Sequence, residues 1–141
     1  MRNGVIVAIV GVVCLSAMSA LDAVVMPHER SGAHVVRMIG DGAGYRFEPA
    51  SIAISAGDSV VFEVVSGQPH SVAFDTAAVP GPAAHVLSKH MGETLGFLSG
   101  PLLLGRTERY VVSFADVPPG RYPFYCLPHL ALHMRGEVIV R

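Results

Sequence analysis

No stretch of this chain concentrates basic charge. Ten Lys and Arg stand against eleven Asp and Glu over 141 residues, a net charge of −1 with histidine neutral. Phosphate backbones are held by clustered cations, so the composition argues against nucleic acid as a partner. Internal repeats and low-complexity linkers are also missing, and the length suits one domain rather than two. Cysteine is scarce. There are two, and Cys14 falls in the apolar N-terminal run described next, which leaves Cys126 alone. A lone cysteine cannot close an internal disulfide, and in an exported chain it is open to oxidation. Coordination to a metal would protect it.

The first twenty residues have three parts. Met1 to Gly4 is a short basic start, Val5 to Leu15 an unbroken apolar run, and Ser16 to Ala20 a region of small residues. This is the layout of a secretory signal peptide, with cleavage expected after Ser19 or Ala20. An uncleaved membrane anchor is the competing reading, although Val5 to Ala20 is short against the ~20 residues of a span. Either way export is expected, to the periplasm or another extracytoplasmic space. Residues 21–33 lack periodicity and read as a flexible lead-in, and residues 34–141 as the folded domain.

Within that domain the pattern is one of short strands between turns, with fifteen Gly and ten Pro as punctuation. His34–Ile39, Ser51–Ser55, Ser59–Val65, His70–Phe74, Thr107–Phe114, Tyr122–Cys126 and Gly136–Val140 read as strands, and Tyr45–Phe47 leads to Pro49. Val60, Phe62 and Val64 share one face, as do Tyr110, Val112 and Phe114. Gly40–Gly44 reads as a turn. Residues 75–106 are the least regular part, with one short helix expected over Ala83–Met91, Pro near its start and Gly92 as its stop. The spacing predicts an all-β sandwich of about seven or eight strands with one short helix in an insertion.

The chemistry is concentrated in Tyr122–Met134. A thiol (Cys126), an imidazole (His129) and a thioether (Met134) lie within one short loop, and Pro128 restricts the backbone just before His129. Cys126 is in phase with Tyr122 and Phe124, so its sulfur should point into the sandwich. A second imidazole, His70, follows Pro69 far upstream. Two His, one Cys and a weak Met are the ligand set of a blue-copper electron-transfer site.

Tyr125-Cys-Leu-Pro-His129 with Met134 and Gly136 resembles the plastocyanin and pseudoazurin branch of the cupredoxins. Phe47-Glu-Pro49, Ile52, Gly57-Asp58 and Pro69-His70 resemble that family's N-terminal half. The resemblance runs from Val35 to Arg141, apart from an enlarged segment between Phe74 and Thr107. It implies a Greek-key β-sandwich holding one copper per chain, with His70, Cys126 and His129 equatorial and Met134 axial. It also implies one-electron carriage between redox partners such as a cytochrome or a membrane oxidoreductase, by a monomer. Ser71 stands where the family often has Asn, a position that ties the two ligand loops together; Ser71 and Pro128 are expected to support the ligands.

His129 is expected at the surface, ringed by Leu127, Pro128, Leu130, Ala131 and Leu132, an apolar docking patch. Tyr125, beside the thiol, is a candidate second route for the electron. His28, His34, His85 and His90 read as surface residues; His133 competes with Met134 as a ligand but is set aside, because only Met134 has the family's offset. Copper enzymes of this class place His beside the Cys to reach a second copper centre; Tyr125 and Leu127 occupy those positions, so no enzyme is expected. A copper-delivery module without redox duty is the alternative.

Overall fold

Alternation of apolar and polar side chains builds two sheets that face each other across a single apolar interior. The computed structural model describes residues 31–141; the expected signal peptide and most of the lead-in lie outside the described residues. The strands are β1 (Ala33–Asp41), β2 (Gly44–Glu48), β3 (Ser51–Ile54), β4 (Ser59–Val64), β5 (Ala73–Phe74), β6 (Arg109–Ser113), β7 (Gly120–Tyr125) and β8 (Arg135–Val140). A helix, α1 (Gly81–Lys89), lies between β5 and β6. One sheet has the order β2-β1-β4-β6 and the other β3-β8-β7-β5. β1 runs parallel to β4 and β3 parallel to β8; the remaining pairs are antiparallel.

The inward residues are those the alternation selects. Val60, Phe62 and Val64 of β4, Val112 of β6, Tyr122 and Phe124 of β7, and Val138 and Val140 of β8 are all buried. Phe47, Phe62 and Phe124 pack edge to face with ring centroids 4.7 to 6.2 Å apart, the arrangement aromatic quadrupoles favour. Phe124 sits two residues before Cys126 on the same face, so this cluster forms the floor beneath the thiol.

Three boundaries differ from the sequence reading. β1 continues to Asp41 because Gly40 pairs with Tyr45 across the hairpin, and the turn shrinks to Gly42-Ala43. There the Asp41 carboxylate accepts the Ala43 N–H at 2.9 Å, an Asx turn. The helix begins at Gly81 rather than Ala83, with Pro80 as its N-cap, since proline at the start of a helix loses no hydrogen bond. Gly92, just beyond it, takes φ +64°. The third difference, at His70, belongs to the site. The insertion itself packs as a flank, burying Ala83, Ala84 and Leu87 of the helix and then Met91 and Leu98.

His34 is not a free surface histidine. Its Nε2 lies 2.8 Å from an Asp58 carboxylate oxygen. The same carboxylate accepts the N–H groups of Gly32 at 2.6 Å and Ser55 at 3.0 Å, so it fastens the start of β1 to the β3–β4 turn. The hydrogen bond from His34, followed by that from Gly32, holds the Asp58 carboxyl below its ordinary 3.8. A depressed carboxyl contributes stability above its unfolded pKa and loses it as pH falls through the folded one. Asp58→Asn should therefore cost ~1–3 kcal/mol near neutral pH. Urea unfolding at stepped pH should show the difference closing below 3.8.

Candidate metal centre

β7 delivers Cys126 inward at its end, and the chain then makes a tight loop back to β8. The His129 N–H donates to the Cys126 carbonyl at 3.2 Å, and a 3-10 turn follows over Leu130–Leu132. His133 then takes a left-handed conformation, φ 60°, and the chain reverses. The Cys126 N–H donates to the Met134 carbonyl at 3.0 Å and the Met134 N–H to the His129 carbonyl at 3.3 Å, so the loop is closed at its neck. Met134 is fully buried, whereas His133 is exposed, which removes it as a competitor for the interior.

His70 reaches the loop from the other side of the chain. Its expected strand, His70–Phe74, is regular only over Ala73–Phe74. The reason is a tertiary contact: the Ser71 N–H points at the Cys126 sulfur, 3.4 Å away, instead of at a carbonyl. The segment is steadied by the end of the insertion. His70 and Leu103 exchange backbone hydrogen bonds of 3.0 and 2.8 Å, Gly100 donates to Val72 at 2.9 Å and Phe74 to Leu98 at 2.9 Å. The apolar run around Leu103 is thus the backbone partner of the upstream ligand segment.

The sulfur of Cys126 lies 3.6 Å from His70 Nδ1 and 3.4 Å from His129 Nδ1. All three candidate ligand atoms fall within 4.8 Å of one another. His70 and Cys126 are fully buried and His129 is 7% exposed. The other nitrogen of His70, Nε2, is 2.8 Å from the Ser66 carbonyl, which fixes the ring with Nδ1 toward the thiol. Ser71 makes the clasp between the loops: its Oγ accepts the Leu127 N–H at 3.1 Å while its own N–H meets the sulfur. A hydroxyl therefore suffices where the family often uses an amide.

Burial governs the protonation of the cluster. It lowers the pKa of His70, against an opposing hydrogen bond to Ser66. It lowers that of His129 too, helped by charge repulsion from His70. It raises that of the Cys126 thiol, with hydrogen bonds from Ser71 and His129 working the other way. Desolvation disfavours each charged form, so near neutral pH the imidazoles are in their ligating state and the thiol has one proton to lose. A soft sulfur between two imidazoles, with a buried thioether in the same loop, fits copper in both of its oxidation states.

The surroundings match the sequence reading only in part. Leu127 and Leu132 are more than half exposed, and Pro128 and Ala131 are also exposed, while Leu130 and Tyr125 are half-buried. The Arg135 guanidinium lies over the Tyr125 ring, 5.8 Å from its centroid. His129, however, is not a bare surface imidazole. The ring of Tyr45 stacks on it with centroids 3.8 Å apart and planes 20° from parallel. Tyr45 was not among the expected residues, yet a signal existed. It shares the face of Phe47 on β2, and that face points inward.

A sandwich that closes at one end over a thiol between two imidazoles is how cupredoxins are built, and by fold and site this protein is one. The sequence pattern of the copper binding proteins, plastocyanin/azurin family, matches residues 33–141, and the chain belongs to that family. A plastocyanin from Synechococcus sp. is 38% identical over 108 residues, 76% of this chain and 72% of the relative. The oxidised plastocyanin of Dryopteris crassirhizoma superposes with a TM-score of 0.60 at 32% identity, covering 76% of this chain and 99% of that one. A Sinorhizobium pseudoazurin gives 0.54 at 25% identity, covering 78% and 74%. Copper is the metal of the family, in keeping with the donor set.

Proposed function

We propose that the protein is an exported one-electron carrier in which His70, Cys126, His129 and Met134 would hold one copper ion. The observation that carries this reading is the preorganised cluster: a buried thiol 3.6 and 3.4 Å from two imidazole nitrogens, clasped by Ser71. When bound, the ion supplies a one-electron couple. The chain supplies rigidity. Backbone hydrogen bonds close the neck of the ligand loop, Ser66 orients His70, and the aromatic floor excludes water. Ligands fixed this firmly have little room to rearrange between oxidation states, which suits rapid exchange.

The exposed Leu127, Pro128, Ala131 and Leu132 support a docking face beside His129, of the small apolar kind that transient redox pairs use. The partner would be a cytochrome or a membrane oxidoreductase. Among the described residues no helix is long and apolar enough to cross a membrane. Export is supported by the basic, apolar and small-residue order of the first twenty residues. Tyr125 and Leu127 beside Cys126 leave no imidazole to wire the site to a second metal, which supports a carrier rather than an enzyme.

Stopped-flow mixing of the reduced, copper-loaded protein with an oxidised c-type cytochrome tests the reading. Fast reduction of the haem with copper retained on this chain is the expected result. Copper passing to an apo-acceptor without haem reduction would support a delivery protein instead.

A further inference from the structure

Tyr45 lies against both imidazoles of the site. Its ring stacks on His129 at 3.8 Å and stands edge-on to His70 at 6.3 Å, with planes 62° apart. The space it occupies is made by glycine. Gly40 is its cross-strand partner, and a Cβ there would come within 2.5 Å of the Tyr45 ring and 2.8 Å of the Gly67 backbone. Gly67 belongs to the segment between Ser66 and His70. The β1–β2 hairpin and the segments bearing the two histidines therefore meet around this one ring.

The two imidazoles are oriented by different means. His70 has the Ser66 carbonyl on its Nε2. Among the described residues the His129 imidazole has one hydrogen-bond contact, between Nδ1 and the Cys126 sulfur. The His70 ring meets its edge, with centroids 4.9 Å apart and planes 62° from parallel, and the one flat contact on its face is the stack with Tyr45. We propose that Tyr45 is a positioning residue for His129, pinning the imidazole so that Nδ1 stays aimed at the sulfur. The consequence for metal retention rests on the copper reading of the site; the contact itself belongs to the metal-free chain. An aromatic stack of this geometry is worth about 2- to 10-fold in an equilibrium.

Tyr45→Phe keeps the ring, whereas Tyr45→Leu keeps bulk on the strand and removes it. In NMR spectra of the metal-free proteins, the His129 ring protons should be shifted upfield by the ring current in wild type and Tyr45→Phe. They should return to the ordinary imidazole range in Tyr45→Leu, with the remaining amide spectrum preserved. After loading, all three should keep the visible thiolate-to-copper band. Tyr45→Leu should then lose Cu(I) to a chelator about 2- to 10-fold faster than the other two. Unchanged His129 signals in Tyr45→Leu, or unchanged copper release, would overturn the proposal. So would Tyr45→Phe behaving like Tyr45→Leu, since that would place the effect on the hydroxyl. A wild-type protein lacking the thiolate band would fail the copper reading instead, and the metal-free shifts would still decide the Tyr45 contact.

Discussion

Cys126→Ser should abolish the intense visible band of the copper-loaded protein altogether. That band is charge transfer from thiolate sulfur to the metal, and a serine hydroxyl, harder and still protonated near neutral pH, cannot replace it. The fold should survive, because Cys126 and Ser are close in volume and the neck of the loop is closed by backbone bonds that do not involve the sulfur. The same variant tests the protonation argument. Burial raises the pKa of the Cys126 thiol and lowers those of both imidazoles. Near neutral pH the thiol is then the group that must release a proton for the metal to bind, and metal binding is linked to that proton. Wild-type affinity should rise about tenfold per pH unit between neutral pH and the thiol pKa, the limiting slope for one proton. In Cys126→Ser this slope should vanish. Absorption and EPR spectra at matched copper, with competition titrations at several pH values, check both halves. A colourless wild-type complex would sink the blue-copper reading outright.

How much of this was legible in the sequence follows from how local each signal is. The ligand loop is a contiguous span, so its three donors could be read directly. The strands with strict alternation announced their buried faces: Val60, Phe62 and Val64, then Tyr122, Phe124 and Cys126, all lie inside. The backing of His70 was not legible. Its partner, Leu103, sits in an apolar run with no alternation, thirty-odd residues away, and nothing local says which segment it will lie beside. His70–Phe74 reads as a strand, but its ladder is interrupted because sulfur takes the Ser71 N–H. That is a tertiary contact overriding a local pattern, as functional sites often do.

Tyr45 and Asp58 were missed for a related reason. Both act through register. Tyr45 reaches His129 because Gly40 stands opposite it, and a slip of one residue in the β1–β2 hairpin would turn the ring to the outer face. Periodicity specifies that Tyr45 and Phe47 share a face; it does not specify the pairing. Asp58 likewise reads as a turn residue, and only the folded chain brings Gly32, His34 and Ser55 to its two oxygens. The resemblance singled out His70, Cys126 and His129, whose candidate ligand atoms the fold brings within 4.8 Å of one another, but contacts peculiar to this chain had to come from its own geometry.

Away from the ligands, the largest expected effect belongs to Phe124→Ala. The side chain is 1% exposed and meets Phe47, Phe62 and Phe74 at 4.7, 5.1 and 5.8 Å. Phe47 and Phe62 come from one sheet and Phe74 from the other, so removing the ring opens a void where the two layers meet. Truncating a buried phenylalanine costs ~3–5 kcal/mol, the transfer loss plus the cavity. Against a total of ~5–15 kcal/mol for a domain, that leaves the metal-free variant near its threshold. Metal raises apparent stability by mass action because it binds the folded chain, so copper should recover part of the loss. It should not recover all of it. Phe124 backs Cys126 from two residues away on the same face, and a void there lets the thiol drift from the two imidazoles. The gap between copper-loaded and metal-free unfolding midpoints should therefore be narrower in the variant than in wild type. Urea titrations with and without copper measure it. A metal-free loss under ~1 kcal/mol would mean that the interior collapses around the void; an unchanged gap would mean that the neck of the ligand loop, not the aromatic floor, sets the position of the sulfur.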